Sequence, residues 1–425
     1  MISSILFFIL LVTGIGLFFR NSKKIVAAIH LGTSLPKVDR KKERWFQMLR
    51  LAFGQQKMHR NLLVGFLHLV VYLGFIIINI ELLEIIVDGL FGTHRVLRGL
   101  GGFYNFAIAT FEVFALLVVL SVIVFWMRRN LVRIARFWSP EMKGWPKSDA
   151  NWILIIELVL MSLFLTMNAA DYSLQLRGHE AYPLAGAFPV SGFIVPIFNN
   201  LSIDTLVLIE RVSWWMHIAG ILFFLNYLYY SKHLHILLAF PHTFYASLEP
   251  KGKMANNEIV TSEVKMMLGL PAEPVTSEEV SFGARDVHQL SALQLLGAFT
   301  CTECGRCTAS CPANQTGKLL SPRKIMMDTR DRATQLIEKG DRVKEHFLLD
   351  NFITREELWA CTTCNACVEE CPIGISPMSI ILSMRQYITM EEASSPSELN
   401  SMMTNIENNG APWPFNSEDR LKWID

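Results

Sequence analysis

The sequence predicts a mainly α-helical protein in two parts, a five-helix transmembrane bundle followed by a smaller helical domain outside the bilayer. Three observations predict it. Apolar runs of about 20 residues, the length that a bilayer core demands, recur five times before residue 231. Of the 425 residues 51% are hydrophobic, 28 are Phe, and the mean hydropathy is +0.32. All eight cysteines lie beyond residue 300, so the apolar mass and the thiols are segregated.

Residues 1–19 are apolar and end at Arg20. They lack a basic stretch before the apolar run and a small-residue cleavage site, so they read as a first span rather than a signal peptide. The further spans lie near 62–87, 103–127, 151–170 and 205–230. The loops 21–60 and 128–147 hold sixteen Lys and Arg between them, whereas 88–102 and 171–204 hold three, namely Arg95, Arg98 and Arg177. The positive-inside rule then puts the N-terminus outside and both basic loops, with the C-terminal domain, inside. A net charge of +1 excludes nucleic acid as the main partner, because phosphate binding needs a concentrated basic footprint. The expected division is a membrane domain over 1–240, a polar linker over 241–295, a cysteine-bearing domain over 296–390 and an acidic tail over 391–425.

The cysteines form two copies of one pattern, C-x2-C-x2-C-x3-C-P, as CTECGRCTASCP at 301–312 and CTTCNACVEECP at 361–372. This is the ligand run of a bacterial-type ferredoxin with two [4Fe–4S] clusters, in which the fourth cysteine of each run serves the other cube. Cys301, Cys304, Cys307 and Cys371 are therefore expected to share one cluster, and Cys361, Cys364, Cys367 and Cys311 the other. Zinc usually takes two separated C-x2-C pairs, and a disulfide framework needs an oxidising compartment, so both are rival readings of lower standing. Residues 312–360 between the runs read as helical, and the tail after Tyr387 as loop-like, with Trp413, Phe415 and Trp423 on a polar background that either packs back or docks on a partner.

Four of the eleven histidines stand where haem iron can use them: His59 and His68 at the start of the second span, His217 and His235 within and just after the fifth. An ionisable side chain in a span is costly and marks a functional site by default. On a continuous helix His217 and His235 share a face about 27 Å apart, whereas His59 and His68 point to opposite faces. Depth, counted from Arg60 and Lys232, pairs His68 with His217 and His59 with His235. One haem on His68 and either His217 or His235 is the alternative, with His233 a lower-ranked substitute. Hydrogen-bonded packing is the competing role for any one of them. Glu112, Glu157 and Glu210 with Arg211 are candidates for a quinone site, against helix-to-helix hydrogen bonding. Gly99-Leu100-Gly101-Gly102 follows no strand and makes no dinucleotide loop.

At these residues the chain resembles known families. WWMHIAGILFFLNYLYYSKHLHI at 214–236 looks like the cytochrome b gamma subunit of respiratory nitrate reductase and its relative in methanogen heterodisulfide reductase. There, histidines on two spans hold the haems; His217 and His235 match the pair on the last span, and His59 and His68 the other pair with slightly different spacing. LGAFTCTECGRCTASCPANQTGKLLSPRKIMMDTRD at 296–331 is similar to the heterodisulfide reductase C subunit. It is more similar still to membrane iron–sulfur oxidoreductases that work between electron-transfer flavoprotein and menaquinone. Many of those carry cysteine-rich CCG domains, a sequence absent from these 425 residues; if that chemistry is needed, a separate subunit is expected to supply it.

The resemblance implies a five-helix haem b bundle followed by a cytoplasmic helical dicluster ferredoxin domain, set in a bacterial inner membrane and surrounded by lipid. The expected function is a quinone-linked oxidoreductase subunit, active in a complex, with two [4Fe–4S] clusters, one or two haem b and menaquinone as substrate. Its partner would be electron-transfer flavoprotein or another redox subunit. The alternatives are a relay and anchor subunit for a heterodisulfide- or sulfur-reductase-like catalytic chain, and a redox-sensing regulator, for which no output domain is visible.

Overall fold

The computed structural model describes residues 2–254, 256, 258–272 and 282–424. Pro274 of the expected polar linker lies outside the described residues, as do most of its neighbours. Among the described residues the fold is helical, without a strand ladder. Five helices are long and apolar enough to cross a membrane: α1 (Ile2–Ile29), α3 (Leu62–Phe91), α4 (Gly102–Asn130), α5 (Trp145–Leu176) and the run from α6 (Ile203–Tyr227) to Tyr230. Each covers one of the expected apolar runs among the described residues and extends it by two or more residues. The short α2 (Lys41–Met48) lies between the first two.

Local chemistry sets the helix boundaries. The Asn61 side chain accepts from the Val64 N–H to open α3, and Gly92 closes it with φ of 69°. Ser202 opens α6 by accepting from Thr205 N. Small residues then let the helices approach closely. A methyl group on Gly74 of α3 would stand 2.5 Å from Val118 Cγ2 of α4, and one on Gly220 of α6 would stand 2.7 Å from Leu160 Cδ2 of α5.

After Tyr230 the chain does not continue as one helix. Ser231 is extended (φ −116°, ψ 144°) and its hydroxyl accepts from His233 N, which closes a tight turn before α7 (His235–Tyr245). Likewise His59 belongs to the one-turn segment Gln56–Arg60 and His68 to α3, with extended Asn61 between them. Both estimates made on continuous helices, the shared face for His217 and His235 and the opposed faces for His59 and His68, are corrected by these two breaks.

The C-terminal part is built from α8 (Glu258–Met267), α9 (Ala292–Thr300), the long helix Pro322–Lys339, the helix Pro377–Met390 and short turns that carry the cysteines. Its apolar core continues into the membrane bundle: Ile25, Ile29 and Phe224 pack in one cluster with Leu290, Leu295 and Ile381. Ala284, Val287 and Leu290 are fully buried in that cluster, so the segment from residue 282 onward packs with the cysteine domain. Backbone bonds seal the joint, from Thr33 N to Leu290 O (2.8 Å) and from Ala292 N to Thr33 O (2.9 Å). The basic loops 21–60 and 128–147 lie on this same side. Arg323, fully buried, donates to Arg136 O and to Glu141 Oε1, both at 2.6 Å, and Arg60 pairs with Glu369 and Glu370. The tail expected as loop contains the helix Ser397–Asn409, followed by exposed Trp413, Phe415 and Trp423.

Candidate functional site

The two cysteine runs adopt the same backbone. Glu303 and Thr363, each two residues after the first cysteine, take left-handed φ of 54° and 55°, and Gly305 and Asn365 follow with 72° and 61°. Left-handed non-glycine residues are uncommon and concentrate at functional sites. Here they turn N–H groups toward sulfur. Thr363 N donates to Cys361 Sγ (3.4 Å), and backbone N–H groups of Glu303, Val368 with Met378, and Ile373 with Ile375 serve Cys301, Cys367 and Cys371. Such N–H···S bonds stabilise thiolate and tune cluster potential.

The thiols gather in two groups across the pseudo-repeat. Cys301, Cys304 and Cys307 lie within electrostatic reach of Cys371, and Cys361 with Cys364 and Cys367 within reach of Cys311. Burial pushes the Cys301 and Cys367 thiols up to about 12, so bare side chains would be protonated at neutral pH. Four soft thiolates per group, cradled by backbone donors, fit a metal cluster whose positive charge replaces those protons. Among the described residues no three His, Cys, Asp or Glu side chains converge tightly enough for a single ion. The groups differ in exposure: Cys364 is exposed to solvent, whereas Cys371 faces the bundle, where Lys57 donates to its carbonyl oxygen. Cys304 lies near Arg136 of the second basic loop.

The histidines follow next along this line. His68 lies within electrostatic reach of His235, His233 and Arg306, the last from the first cysteine run. His233 and His235 have ring centroids 5.4 Å apart, and His233 packs on Phe224 at 5.2 Å, so the Ser231 turn folds this segment back against the bundle. His68 thus has His235 within reach, the partner that the single-haem alternative names beside His217. His59 is half-buried against Gly65.

Three of these rings are held alike. Nδ1 of His68 faces Gln55 Oε1 (2.9 Å), Nδ1 of His217 faces Leu160 O (3.0 Å) and Nδ1 of His235 faces Lys232 O (3.2 Å). A carbonyl acceptor at Nδ1 fixes the proton there and leaves the Nε2 lone pair free, the second-shell arrangement of metal-ligating histidine. His233 differs, with Nε2 turned to Glu157 at 3.7 Å. His217 opens onto a cavity of about 100 Å³, bounded by α3, α4, α5 and α6 and including Gly74, Glu81, Val118, Glu157 and Phe164. His217 is the candidate histidine among the lining residues, set in a largely apolar wall, and its Nε2 would be available to a bound metal group.

Of the acidic candidates, Glu157 lines the cavity. Glu112 instead accepts from Asn168 Nδ2, Val190 N and Ser191 N, which makes it an anchor for the 171–204 loop. Glu210 pairs with Arg211 and accepts from Tyr182 Oη (2.9 Å). Sequence reasoning missed Glu81 and Glu84, two carboxylates inside an apolar run, Asp171, one residue past another, and buried Arg95, which binds Asp171 at 2.6 Å. It also missed Glu303, buried in the first cysteine run and paired with Lys232 and Arg330. Charges within spans are the signal that would have found Glu81 and Glu84.

With this geometry in hand, comparison with known proteins is informative. Over its whole length the chain is 28% identical to the probable iron-sulfur-binding oxidoreductase FadF of Bacillus subtilis, and over 91% of its length 25% identical to the EtfAB:quinone oxidoreductase of Syntrophomonas wolfei. It spans 61% and 54% of those relatives. A quarter of the chain is 33% identical to 56% of the C subunit of the ferredoxin/F(420)H(2)-dependent CoB-CoM heterodisulfide reductase of Methanosarcina acetivorans. No solved structure matches. Residues 295–372 match the 4Fe-4S dicluster domain family, and the C-terminal part of the chain is a 4Fe-4S dicluster domain behind five candidate membrane helices.

Proposed function

We propose that the chain is a membrane-bound electron-transfer subunit working between a cytoplasmic redox partner, such as an electron-transfer flavoprotein, and menaquinone. One observation carries this reading: the order of side chains from solvent inward. Exposed Cys364 comes first, then Cys371 with Lys57 bonded to its carbonyl, then His68 beside His235, and finally His217 at the cavity. Bound clusters and haem b would supply one-electron chemistry along that line, while the protein supplies position and potential. Cys301, Cys304, Cys307 and Cys371 would hold the cluster next to the bundle, and Cys361, Cys364, Cys367 and Cys311 the one next to solvent. His68 and His235 would be the first choice of residues to hold haem b. His217, at the cavity, would be a further haem-holding residue, and His59 is the weaker fourth candidate.

The relatives supply the substrate classes: a name linking EtfAB to quinone belongs to a protein aligned over 91% of this chain. The basic loops and the cysteine domain share one side, which the positive-inside rule assigns to the cytoplasm of a bacterial inner membrane. Iron and haem stoichiometry with an optical spectrum of the purified protein tests the reading. About eight non-haem irons and a Soret band that disappears in His68→Ala are expected; a colourless Soret region would overturn the haem assignment. A second reading, a relay and anchor subunit for a heterodisulfide- or sulfur-reducing catalytic chain, is favoured by the likeness of the cysteine domain to the heterodisulfide reductase C subunit. Menaquinol analogues would reduce the isolated chain under the first reading and not under the second.

A further inference from the structure

We propose that Glu81 is the proton-exchanging group of the quinone reaction, at the end of the membrane cavity remote from the dicluster domain. This rests on the quinone-linked reading above and names a residue and a route for it.

Glu81 is 3% exposed, its side chain lines the cavity, and its Oε2 has no hydrogen-bond partner. A buried carboxylate oxygen without a donor is costly, and packing alone does not require one. Three other carboxylates of the bundle are answered by hydrogen bonds: Glu84 by Leu97 N and Tyr104 Oη, Glu112 by Asn168 and two backbone N–H groups, Asp171 by Arg95 and Gln175; Glu157, in the same cavity, has His233 Nε2 at 3.7 Å. Glu81 lies nineteen residues into α3, about 28 Å from its cluster-side end, whereas His217 lies only about 15 Å from the corresponding end of α6. The cavity therefore runs past His217, and around Glu81 its wall includes Ile78, Leu82 and Ile85; Asn79, Glu157 and His217 are the other polar residues of a mostly apolar lining. That is the composition of a site for an apolar ring bearing a carbonyl or hydroxyl.

Behind Glu81 a polar chain leads to the far face. Glu84 on the same helix, Glu112 on α4, Asp171 on α5 and Arg95 in the loop after α3 all lie within its electrostatic reach. The Arg95 guanidinium donates to Asp171 Oδ2 (2.6 Å), Tyr104 Oη (3.1 Å) and Asn168 Oδ1 (2.9 Å), and Tyr104 donates to Glu84 Oε2 (2.9 Å). His94 Nε2 stands 3.4 Å from Asp171, and its side chain, 22% exposed, opens the chain to the surface opposite the clusters. When a hydroquinone is oxidised to quinone, its two O–H bonds break in turn. Each proton passes to the Glu81 carboxylate and on toward His94, while a bound one-electron iron centre would take up each electron. Quinone reduction runs the same steps backward and draws both protons from the far face.

The test uses the full chain in detergent and a short-chain naphthohydroquinone. In Glu81→Gln the optical spectrum and its reduction by dithionite should be unchanged, while hydroquinone-driven reduction slows by on the order of tenfold or more; Glu81→Asp should recover part of the rate. An infrared difference spectrum between electrochemically oxidised and reduced protein should show a carboxyl C=O band that Glu81→Gln lacks. A wild-type rate in Glu81→Gln, or an unchanged band, would overturn the proposal. Wild-type protein that the hydroquinone does not reduce would overturn the quinone reading, and this proposal with it, in a result distinct from a defect confined to the variant.

Discussion

Lys57 donates to the carbonyl oxygen of Cys371 at 3.1 Å and to that of Glu369 at 2.9 Å, so one ammonium from the first basic loop closes the last turn of the helix Ala366–Glu370. A cation at a helix C-terminus is favourable, and this one is largely buried beside a proposed cluster ligand. Reduction adds negative charge to a cluster, which a nearby cation stabilises. Lys57→Met should therefore lower the potential of one cluster, on the order of 60 mV, the one-electron equivalent of a tenfold change in equilibrium constant. Redox titration followed by electron paramagnetic resonance checks this, and equal shifts in both clusters would contradict it.

Cys304 belongs to the group that faces the bundle, and cluster assembly is coupled to folding of the peptide around it. Cys304→Ala should lower non-haem iron from about eight to about four per chain or below, with loss of thermal stability. Iron analysis on the purified variant decides the matter: retention of all eight would remove Cys304 from the ligand set.

The cysteine pattern was legible because three of the four thiols in each group lie within seven residues, so the chemistry is written in local spacing. The spans were legible because bilayer thickness fixes their length. The histidine arrangement was not, since it depends on the Ser231 turn, and that turn is held by distant groups: Asp149 accepts from Lys232 N (3.1 Å) and from Tyr227 Oη (2.7 Å). Arg95 was equally hidden, because its partner Asp171 stands 76 residues away on another helix. The left-handed conformations of Glu303 and Thr363 gave no glycine signal, since N–H···S bonds offset their strain.

His242 of α7 is buried against Gly297 of α9, where burial holds its imidazole down at about 4, against a weaker opposing hydrogen bond to the Ile373 backbone. Unfolded chain binds the proton near 6.5, so between pH 6.5 and 4 acid favours unfolding. Its contribution to stability is intact above pH 6.5 and falls by on the order of 3 kcal/mol as pH drops to 4. His242→Gln should flatten that part of the profile, as read from thermal unfolding at pH 5 and pH 7.5. An unchanged pH dependence would show that His242 is already charged in the folded protein.

Arg323 makes the joint between bundle and dicluster domain depend on one buried guanidinium. It is fully buried, and its donors reach Arg136 O and Glu141 Oε1 at 2.6 Å across the domain boundary. Ser321 Oγ also donates to Glu141 Oε1 at 2.7 Å, so the carboxylate answers two residues of the cysteine domain. Removing one partner of a buried pair leaves the other charge unanswered, at a cost of about 3–5 kcal/mol. Arg323→Met keeps the stem's volume and loses the charge, so it should lower the unfolding temperature and speed proteolysis at the joint. Arg323→Met combined with Glu141→Gln should recover much of that loss, because no bare carboxylate then remains. A double variant as unstable as the sum of the two single ones would show that the pair contributes nothing through its charge.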